Sequence, residues 1–307
     1  MENRSILTEG VRRLQVGSQT AYFGTSEHMT EVEDASIAVV LTSPPYWNLK
    51  DYQCPGQIGQ EPYDTYLERL NVVWSECYRV SKPNGVLVIN VAARRHRGRY
   101  YPIPMDIYAR MKGWRLVQHL IWYVPNALPQ PNHYISRLFD QKYEDIIVFA
   151  KSDALDYTFH KIRVPQKYAA VEPRKGKLNE NGRCIGNVIR IPAYRPPTIR
   201  QHNYHVAAFP EELVYLILTA FSDPGHRILD PFLGSGTTLK VAEIMGRVGI
   251  GYEINPNYAA LIEGRVREQW TPPRPEELDM IHSSTATPST NGRRRRPIPQ
   301  AHGTLFK

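Results

Sequence analysis

The sequence of 307 residues contains only three cysteines, Cys54, Cys77 and Cys184, which lie far apart. An odd number of cysteines at such spacing argues against a disulfide framework and against a cysteine-rich metal site. The sequence has no run of about 18 apolar residues, which argues against a transmembrane helix. Its first residues lack the apolar centre of a secretory signal. We therefore expect a cytoplasmic protein without a bound metal.

Acidic residues are too few to balance the basic ones, with 30 Asp and Glu against 38 Lys and Arg and a formal net charge of +8. Such a charge suits a polyanionic partner. Eleven of the basic residues fall between Lys151 and Arg200, where only four acids oppose them. Because apolar periodicity also fades over residues 152–204, we interpret this stretch as a basic insertion outside the core.

Apolar patterns over the rest of the chain predict an α/β fold. Strands are expected at 36–42 and 86–90, with a helix over 62–80 and a turn at 82–85 between them, which makes a βαβ unit. Strands at 114–124 and 143–151 could pair antiparallel at the sheet edge. The other predicted elements are helices over 105–114, 209–222, 239–246 and 255–270 and strands over 226–230 and 247–254.

A glycine-rich loop, "PFLGSGTT" at 231–238, joins a predicted strand to a predicted helix. Gly234 and Gly236 let the backbone come close to a ligand. Glu253 ends the next strand, where a carboxylate can accept both hydroxyls of a ribose. The loop lacks the third glycine of the dinucleotide fingerprint and the Gly-Lys-Ser/Thr of a phosphate-binding loop. Asp230 would repel a pyrophosphate but could accept from the amine of S-adenosylmethionine, so the pattern favours that nucleoside cofactor.

The stretch "SPPYW", Ser43–Trp47, directly follows a predicted strand. Its two prolines fix φ and remove two N–H donors, so the loop is stiff and its carbonyls are expected to be unpaired acceptors. Tyr46 and Trp47 offer aromatic faces. Such a loop suits a planar ring with an exocyclic amine, stacked on Tyr46, whose amine donates to the Ser43 hydroxyl and the Pro44 carbonyl and can then attack a methyl group.

These motifs stand in a particular order: "TSPPYWNLKDY", "GQIGQEPYDTYLERL", "RVSKPNGVLVIN", "HVAAFPEELV" and "ILDPFLGSGTTLKVAEIMGRVGIGYEINPNYAALIEGRV". With a basic region between the catalytic and cofactor motifs, the chain resembles the β class of DNA amino-methyltransferases. More narrowly, it resembles the cytosine-N4 branch of restriction–modification systems. The resemblance covers about residues 36–150 and 203–268.

The resemblance implies a Rossmann-like S-adenosylmethionine-dependent methyltransferase fold, with a seven-stranded, mostly parallel sheet and an antiparallel edge hairpin. It divides the chain into a catalytic half (1–151), a target-recognition insert (152–204), a cofactor-binding half (205–270) and a disordered tail (271–307). The catalytic motif would be Ser43, Pro44, Pro45 and Tyr46. The cofactor residues would be Asp230, Pro231, Phe232, Gly234, Ser235, Gly236, Thr237 and Glu253, with Phe209 from the segment 205–210.

Double-stranded DNA is the implied substrate, with the target base flipped out of the duplex. The candidate DNA-contacting residues are Trp47, Arg94, Arg95, Arg183, Arg190 and Arg195. A cognate restriction endonuclease is a candidate partner, and the chain could act as a monomer or a homodimer. One departure from the family concerns Thr25 in "FGTS", which stands where many members carry an acid near the cofactor adenine.

Three alternatives stay open at this point. In the family a serine at position 43 goes with cytosine and an aspartate with adenine, so an adenine-N6 enzyme is the first alternative. The second is a DNA-binding protein that has lost catalysis, against which both intact motifs speak. The third is a methyltransferase for RNA or for a protein glutamine amide, although the basic insertion and the motif order favour DNA.

Overall fold

The computed structural model describes residues 12–52, 54–127, 139–164, 182–193 and 209–274, together with Glu277. The strands are β1 Arg12–Val16, β2 Gln19–Phe23, β3 Ile37–Thr42, β4 Ser81–Val91, β5 Arg94–His96, β6 Arg99–Tyr101, β7 Trp114–Tyr123, β8 Tyr143–Lys151, β9 Arg163–Val164, β10 Arg183–Cys184, β11 Val188–Arg190, β12 Arg227–Asp230 and β13 Val248–Glu253. The helices are α1 Tyr63–Val80, α2 Ile103–Arg110, α3 Glu211–Phe221, α4 Thr237–Ile244 and α5 Ala259–Arg267, with a 3₁₀ turn at Pro256–Tyr258.

Nine strands form the main sheet, in the order β1-β2-β13-β12-β3-β4-β8-β7-β11. The five strands from β2 to β4 in this order run parallel, and β8 and β7 follow antiparallel. The predicted mixed, mostly parallel sheet is therefore confirmed, with its seven strands from β2 to β7. The structure adds β1 at one edge and β11 at the other.

The predicted hairpin of β7 and β8 is present but does not form the edge of the sheet. Val188–Arg190, from the basic insertion, pairs parallel with Ile121–Tyr123 of β7. The expectation of an edge hairpin was wrong because a strand formed far along the chain satisfies the free hydrogen-bonding groups of β7. The two strands, β7 and β11, lie far apart in the sequence, and no local pattern predicted that they pair.

Helix α1 follows the prediction to within a residue at its start. Pro62 precedes its first turn, Asp64 lies in that turn and Arg79 in the last, which suits the helix dipole. Its apolar residues at three- and four-residue spacing are buried against one face of the sheet together with α2. Helices α3 and α4 cover the opposite face, and α5 packs over β1 and β2.

The turn predicted at 82–85 is instead a bulge inside β4. Ser81 already pairs with Ile37, and the register shifts before Val39 pairs with Val86. A Cβ at Gly85 would lie 3.0 Å from the Ile37 carbonyl oxygen, so the glycine permits the close approach that the bulge needs.

Helix boundaries differ from the predictions in four places. Helix α3 covers Glu211–Phe221 rather than 209–222. Helix α2 covers Ile103–Arg110 rather than 105–114. Helix α4 begins at Thr237, two residues before the prediction, because Gly236 takes a left-handed φ of 88° and ends the loop early. The predicted helix over 255–270 is split into the 3₁₀ turn and α5.

The basic insertion contributes to the core, against our interpretation that it lies outside. Val164, Ile189 and Ile191 are buried in the cluster under α3, and the amide of His160 donates to the carbonyl of Ala220 at 2.7 Å. Residues 165–181 and 194–204 lie outside the described residues. The tail predicted to be disordered lies outside them too, apart from 271–274 and Glu277.

Candidate active site

Two loops meet where the neighbouring parallel strands β3 and β12 end. Ser43–Tyr46 follows β3, and the glycine-rich loop follows β12. The strand ends are joined by a 2.7 Å hydrogen bond from Thr42 Oγ1 to Asp230 Oδ1. The carboxyl ends of parallel strands are where such folds bind ligands, so this junction is the candidate site.

Asp230 organises the junction and is buried beneath it. Its side chain is 1% exposed and accepts hydrogen bonds from Thr42, from the backbone N–H of Phe232 and from Thr238 Oγ1. Burial raises the pKa of its carboxyl to about 6, against the effect of these donors. The role of Asp230 as an acceptor for the amine of a bound ligand stays a prediction: Oδ1 has two donors and Oδ2 only one, which leaves a lone pair on Oδ2.

Glu253, at the end of β13, is also buried but faces a cavity. Its Oε2 accepts from the N–H of Gly234 and its Oε1 from the N–H of Asn255, both at 2.8 Å. These bonds, together with a further backbone contact from Ile254, fix the carboxylate beside the glycine-rich loop. Burial raises the pKa of this carboxyl to about 7.

The first cavity lies between the two loops. Of the predicted cofactor residues, Pro231, Phe232, Gly234 and Glu253 line it. Ser235, Gly236 and Thr237 do not; Ser235 and Thr237 are buried beneath the loop. The remaining walls come from Gly24, Thr25, Ser26, Ser43, Pro45, Tyr52, Gly56, Gln57, Ile58, Tyr252 and Ile254. Thr25 thus lies where the resemblance placed the counterpart of the family's acid.

A second cavity lies on the other side of the proline loop. Ser43 and Tyr52 line both cavities. The other residues around the second cavity are Pro44, Tyr46, Leu49, Lys50, Asn90, Trp122, Glu144, Ala193 and Phe209. Phe209, predicted to enclose the cofactor, lies here instead of in the first cavity. One rigid loop therefore separates two adjoining spaces.

Tyr46 is fixed by a buried polar group on β4 and β8. Its hydroxyl donates to Glu144 Oε2 at 2.5 Å, and Asn90 Nδ2 donates to the same oxygen at 2.7 Å. Burial raises the pKa of the Glu144 carboxyl, against the effect of both bonds. The Tyr66 hydroxyl donates to the Pro45 carbonyl at 2.9 Å, so this carbonyl is not the unpaired acceptor that we expected.

The predicted DNA-contacting residues divide into three groups. Trp47 is only 8% exposed, and its Nε1 donates to the Glu61 carbonyl at 2.8 Å, which corrects the expectation of a free stacking face. Arg94 and Arg95 are half-buried in β5, and Arg183 and Arg190 are half-buried in β10 and β11. Arg195 lies outside the described residues.

Sequence reasoning missed Tyr52, Asn90 and Glu144. Ligands in such folds bind at the carboxyl ends of the strands, which is the rule that singled out Ser43. Asn90 is the last residue of the predicted strand 86–90, so the same strand-end rule could have identified it. Glu144 lies within a predicted strand whose apolar pattern gave no sign of a polar site. Tyr52 lies a few residues after the Ser43–Trp47 stretch, and no feature of the local sequence indicated that its side chain would line both cavities.

Comparison with known proteins agrees with this arrangement. The model of the N6/N4-type DNA methylase family matches residues 37–264. The chain is 35% identical over 224 residues to the Type II methyltransferase M.MwoI of Methanothermobacter wolfeii, covering 70% of this chain and 28% of that protein. It is 28% identical over 279 residues to M.MthZI of Methanothermobacter thermautotrophicus, covering 80% of this chain and 76% of that one.

Two solved structures share the fold. PvuII DNA methyltransferase, described as cytosine-N4-specific, superposes with a TM-score of 0.64 at 21% identity, covering 86% of this chain and 91% of that one. TTHA0409 of Thermus thermophilus, solved in complex with S-adenosyl-L-methionine, superposes with a TM-score of 0.54 at 28% identity, covering 80% of this chain and 91% of that one.

The fold and the two loops define a DNA methyltransferase, and the chain belongs to the N6/N4-type DNA methylase family. The predicted family is therefore confirmed, and S-adenosylmethionine is the cofactor. The residues of the first cavity fit this molecule: Glu253 offers carboxylate oxygens for ribose hydroxyls, and Phe232, Ile58 and Tyr252 offer apolar surface for a purine.

Over the ranges that the structure describes, no helix is long and apolar enough to cross a membrane.

Proposed function

We propose that the chain transfers a methyl group from S-adenosylmethionine to the N4 amine of a flipped cytosine in double-stranded DNA, as the modification enzyme of a restriction–modification system. The observation that carries this proposal is the proline loop between two cavities, with Ser43 lining both. A cofactor held on the Glu253 side and a base held on the Tyr46 side would meet at Ser43.

In this proposal the residues of the chain position and polarise the amine. Tyr46, immobilised by Glu144 and Asn90, presents its ring to the base. Ser43 Oγ and the Pro44 carbonyl accept the two amine hydrogens, which directs the nitrogen lone pair toward the first cavity. The cofactor supplies an electrophilic methyl group. Catalysis then depends on orientation and on hydrogen bonds that strengthen as the amine acquires charge.

The preference for cytosine depends on Ser43. In the resemblance, a serine at this position accompanies cytosine and a carboxylate accompanies adenine. Digestion of DNA methylated by the purified protein, followed by mass analysis of the nucleosides, is expected to give N4-methylcytosine. N6-methyladenine alone would overturn the choice of base but not the family. Transfer that is sensitive to ribonuclease would instead identify RNA as the substrate.

The DNA would be held by the basic residues of the 152–204 insertion as target-recognition region, between a catalytic half at 1–151 and a cofactor-binding half at 205–270. Arg183, Arg190 and Arg195 are the candidate contacts there. Because arginines on phosphates displace counterions, binding would weaken steeply with salt. The Type II methyltransferase relatives support a role in restriction–modification in the cytoplasm beside a cognate endonuclease. That role holds for a monomer or a homodimer.

Cofactor affinity is expected to rise with pH through about 7. The pKa of the Glu253 carboxyl is raised to about 7 by burial, so it is largely protonated below that pH. Only the ionised form can accept from both ribose hydroxyls. A hydrogen bond to a charged group is worth about 1.5–3 kcal/mol, so the dissociation constant should fall at least about tenfold between pH values on either side of this pKa.

The measurement is a calorimetric or fluorescence titration with S-adenosylmethionine at several pH values. The variant Glu253→Gln keeps the shape of the side chain but cannot ionise, so its weaker affinity should be independent of pH over this range. Stability has the opposite dependence: a raised carboxyl pKa means that the folded state binds more protons, so this group destabilises the fold as pH rises from about 4.5 to 7. A wild-type affinity that does not change with pH would contradict the assignment of Glu253.

A further inference from the structure

A short hairpin contacts the segment that follows the catalytic loop. Strands β5 and β6 pair antiparallel, with His96 opposite Arg99, and only Arg97 and Gly98 connect them. Both connecting residues have positive φ, 47° and 77°. Two such residues form a type I′ turn, whose twist matches that of the strands. The hairpin is therefore tight and well defined in shape.

The end of this hairpin is basic and exposed. Residues 94–101 read "RRHRGRYY", with four arginines, one histidine and no acid. Arg94 and Arg95 are half-buried, whereas Arg97, Arg99 and Tyr100 are exposed. The guanidinium of Arg95 lies over the Tyr100 ring at 4.9 Å. The side chains best placed to meet a phosphate backbone are thus Arg97 and Arg99, rather than the two arginines that the sequence suggested.

The base of the hairpin is bonded to the segment that follows the catalytic loop. Arg94 Nη2 donates to the carbonyl of Asn48 at 3.1 Å, and the Asn48 side-chain nitrogen lies 3.1 Å from His96 Nε2. Asn48 itself has a left-handed φ of 50° and lies two residues after Tyr46. The next residues, Leu49 and Lys50, line the second cavity.

Aromatic packing makes a second connection between the hairpin and the catalytic loop. The buried ring of Trp47 lies 4.5 Å from the Tyr101 ring and 5.4 Å from the His96 ring, measured between centroids. Trp47 directly follows Tyr46. A displacement of the hairpin would therefore act on Trp47 and Asn48, the two residues that follow Tyr46.

We propose that the 94–101 hairpin binds the DNA backbone beside the flipped nucleotide through Arg97 and Arg99, and that its position is transmitted to the catalytic loop through His96, Asn48 and Trp47. This proposal rests on the proposed function, since it concerns the same DNA substrate. Binding would favour the loop arrangement that holds the target base, so chemistry would follow correct docking on the duplex.

The first test compares two double variants in DNA binding. Arg97→Ala with Arg99→Ala is expected to weaken DNA binding at least tenfold at moderate salt. It should also reduce the slope of log affinity against log salt by roughly 1.8, which is 0.9 for each lost phosphate contact. The control is Arg227→Ala with Arg267→Ala, which removes a half-buried charge at the amino end of β12 and an exposed charge in the last turn of α5. This control variant should change the slope of log affinity against log salt concentration only slightly.

The second test separates transmission from binding. His96→Ala leaves Arg97 and Arg99 in place but removes a contact to Asn48 and Trp47. We expect its DNA affinity to stay within about threefold of wild type while the single-turnover methyl-transfer rate falls roughly tenfold. S-adenosylmethionine affinity should be unchanged in all variants and serves as the check of folding.

Each outcome decides one part of the proposal. An unchanged salt slope for the Arg97 and Arg99 variant would overturn the docking role. A wild-type transfer rate for His96→Ala, or a loss that matches its loss of DNA affinity, would overturn the transmission. If the wild-type protein methylates no DNA, the proposed function itself fails, which is a different result from an active enzyme whose hairpin variants behave like the control.

Discussion

Replacement of Tyr46 by alanine is expected to lower the methyl-transfer rate about 10²–10³-fold while leaving S-adenosylmethionine affinity within roughly twofold. The ring lines the second cavity and not the first, so its loss should affect the base and not the cofactor. Single-turnover transfer to DNA gives the rate, and a binding titration gives the cofactor affinity.

Tyr46→Phe is the matched variant, because it keeps the ring and removes the hydroxyl that donates to Glu144. We expect a loss of about tenfold, since the stacking face remains but the bond that fixes it is absent. If Tyr46→Ala and Tyr46→Phe lowered the methyl-transfer rate equally, the hydroxyl and not the ring would be the group that catalysis requires. A wild-type methyl-transfer rate for Tyr46→Ala would show that the target base is not bound in the second cavity.

Replacement of Glu211 by alanine is expected to reduce the free energy of unfolding by about 3–5 kcal/mol. Its Oε1 accepts from Lys240 Nζ at 3.0 Å and from Arg265 Nη2 at 2.7 Å. The side chains of Lys240 and Arg265 are 2% and 0% exposed. Burial opposes ionisation of Glu211, but Arg265 and Lys240 outweigh it and lower the pKa of the carboxyl.

The loss follows because the variant leaves two buried cations with less compensation. Glu268, which also contacts Lys240 and Arg265, is 27% exposed and can compensate only in part. Denaturant unfolding measures the change in free energy. Glu263→Ala is the control, because it breaks an exposed pair with Arg267 and should change stability by less than about 1 kcal/mol. Equal effects of the two substitutions would show that the buried group is not a source of stability.

Several parts of the fold and site follow from local sequence. The apolar periodicity of 62–80 predicted α1 nearly to its ends, and the strand at 143–151 has the predicted bounds. The strand-end rule placed Ser43–Tyr46 and the glycine-rich loop at one edge of the sheet, where they lie. These predictions succeed because residue periodicity and turn chemistry act over a few residues and depend little on the rest of the chain.

The sequence by itself determined the family, the cofactor loop and the proline loop. The tertiary structure alone decided that the proline loop divides two cavities, that Asp230 is buried among local donors and that Trp47 supports a hairpin. It also brought Glu211, Lys240 and Arg265 together, although 29 and 54 residues separate Glu211 from its two partners. Such contacts have no local pattern, because the path of the whole chain decides which donors and acceptors converge in the interior.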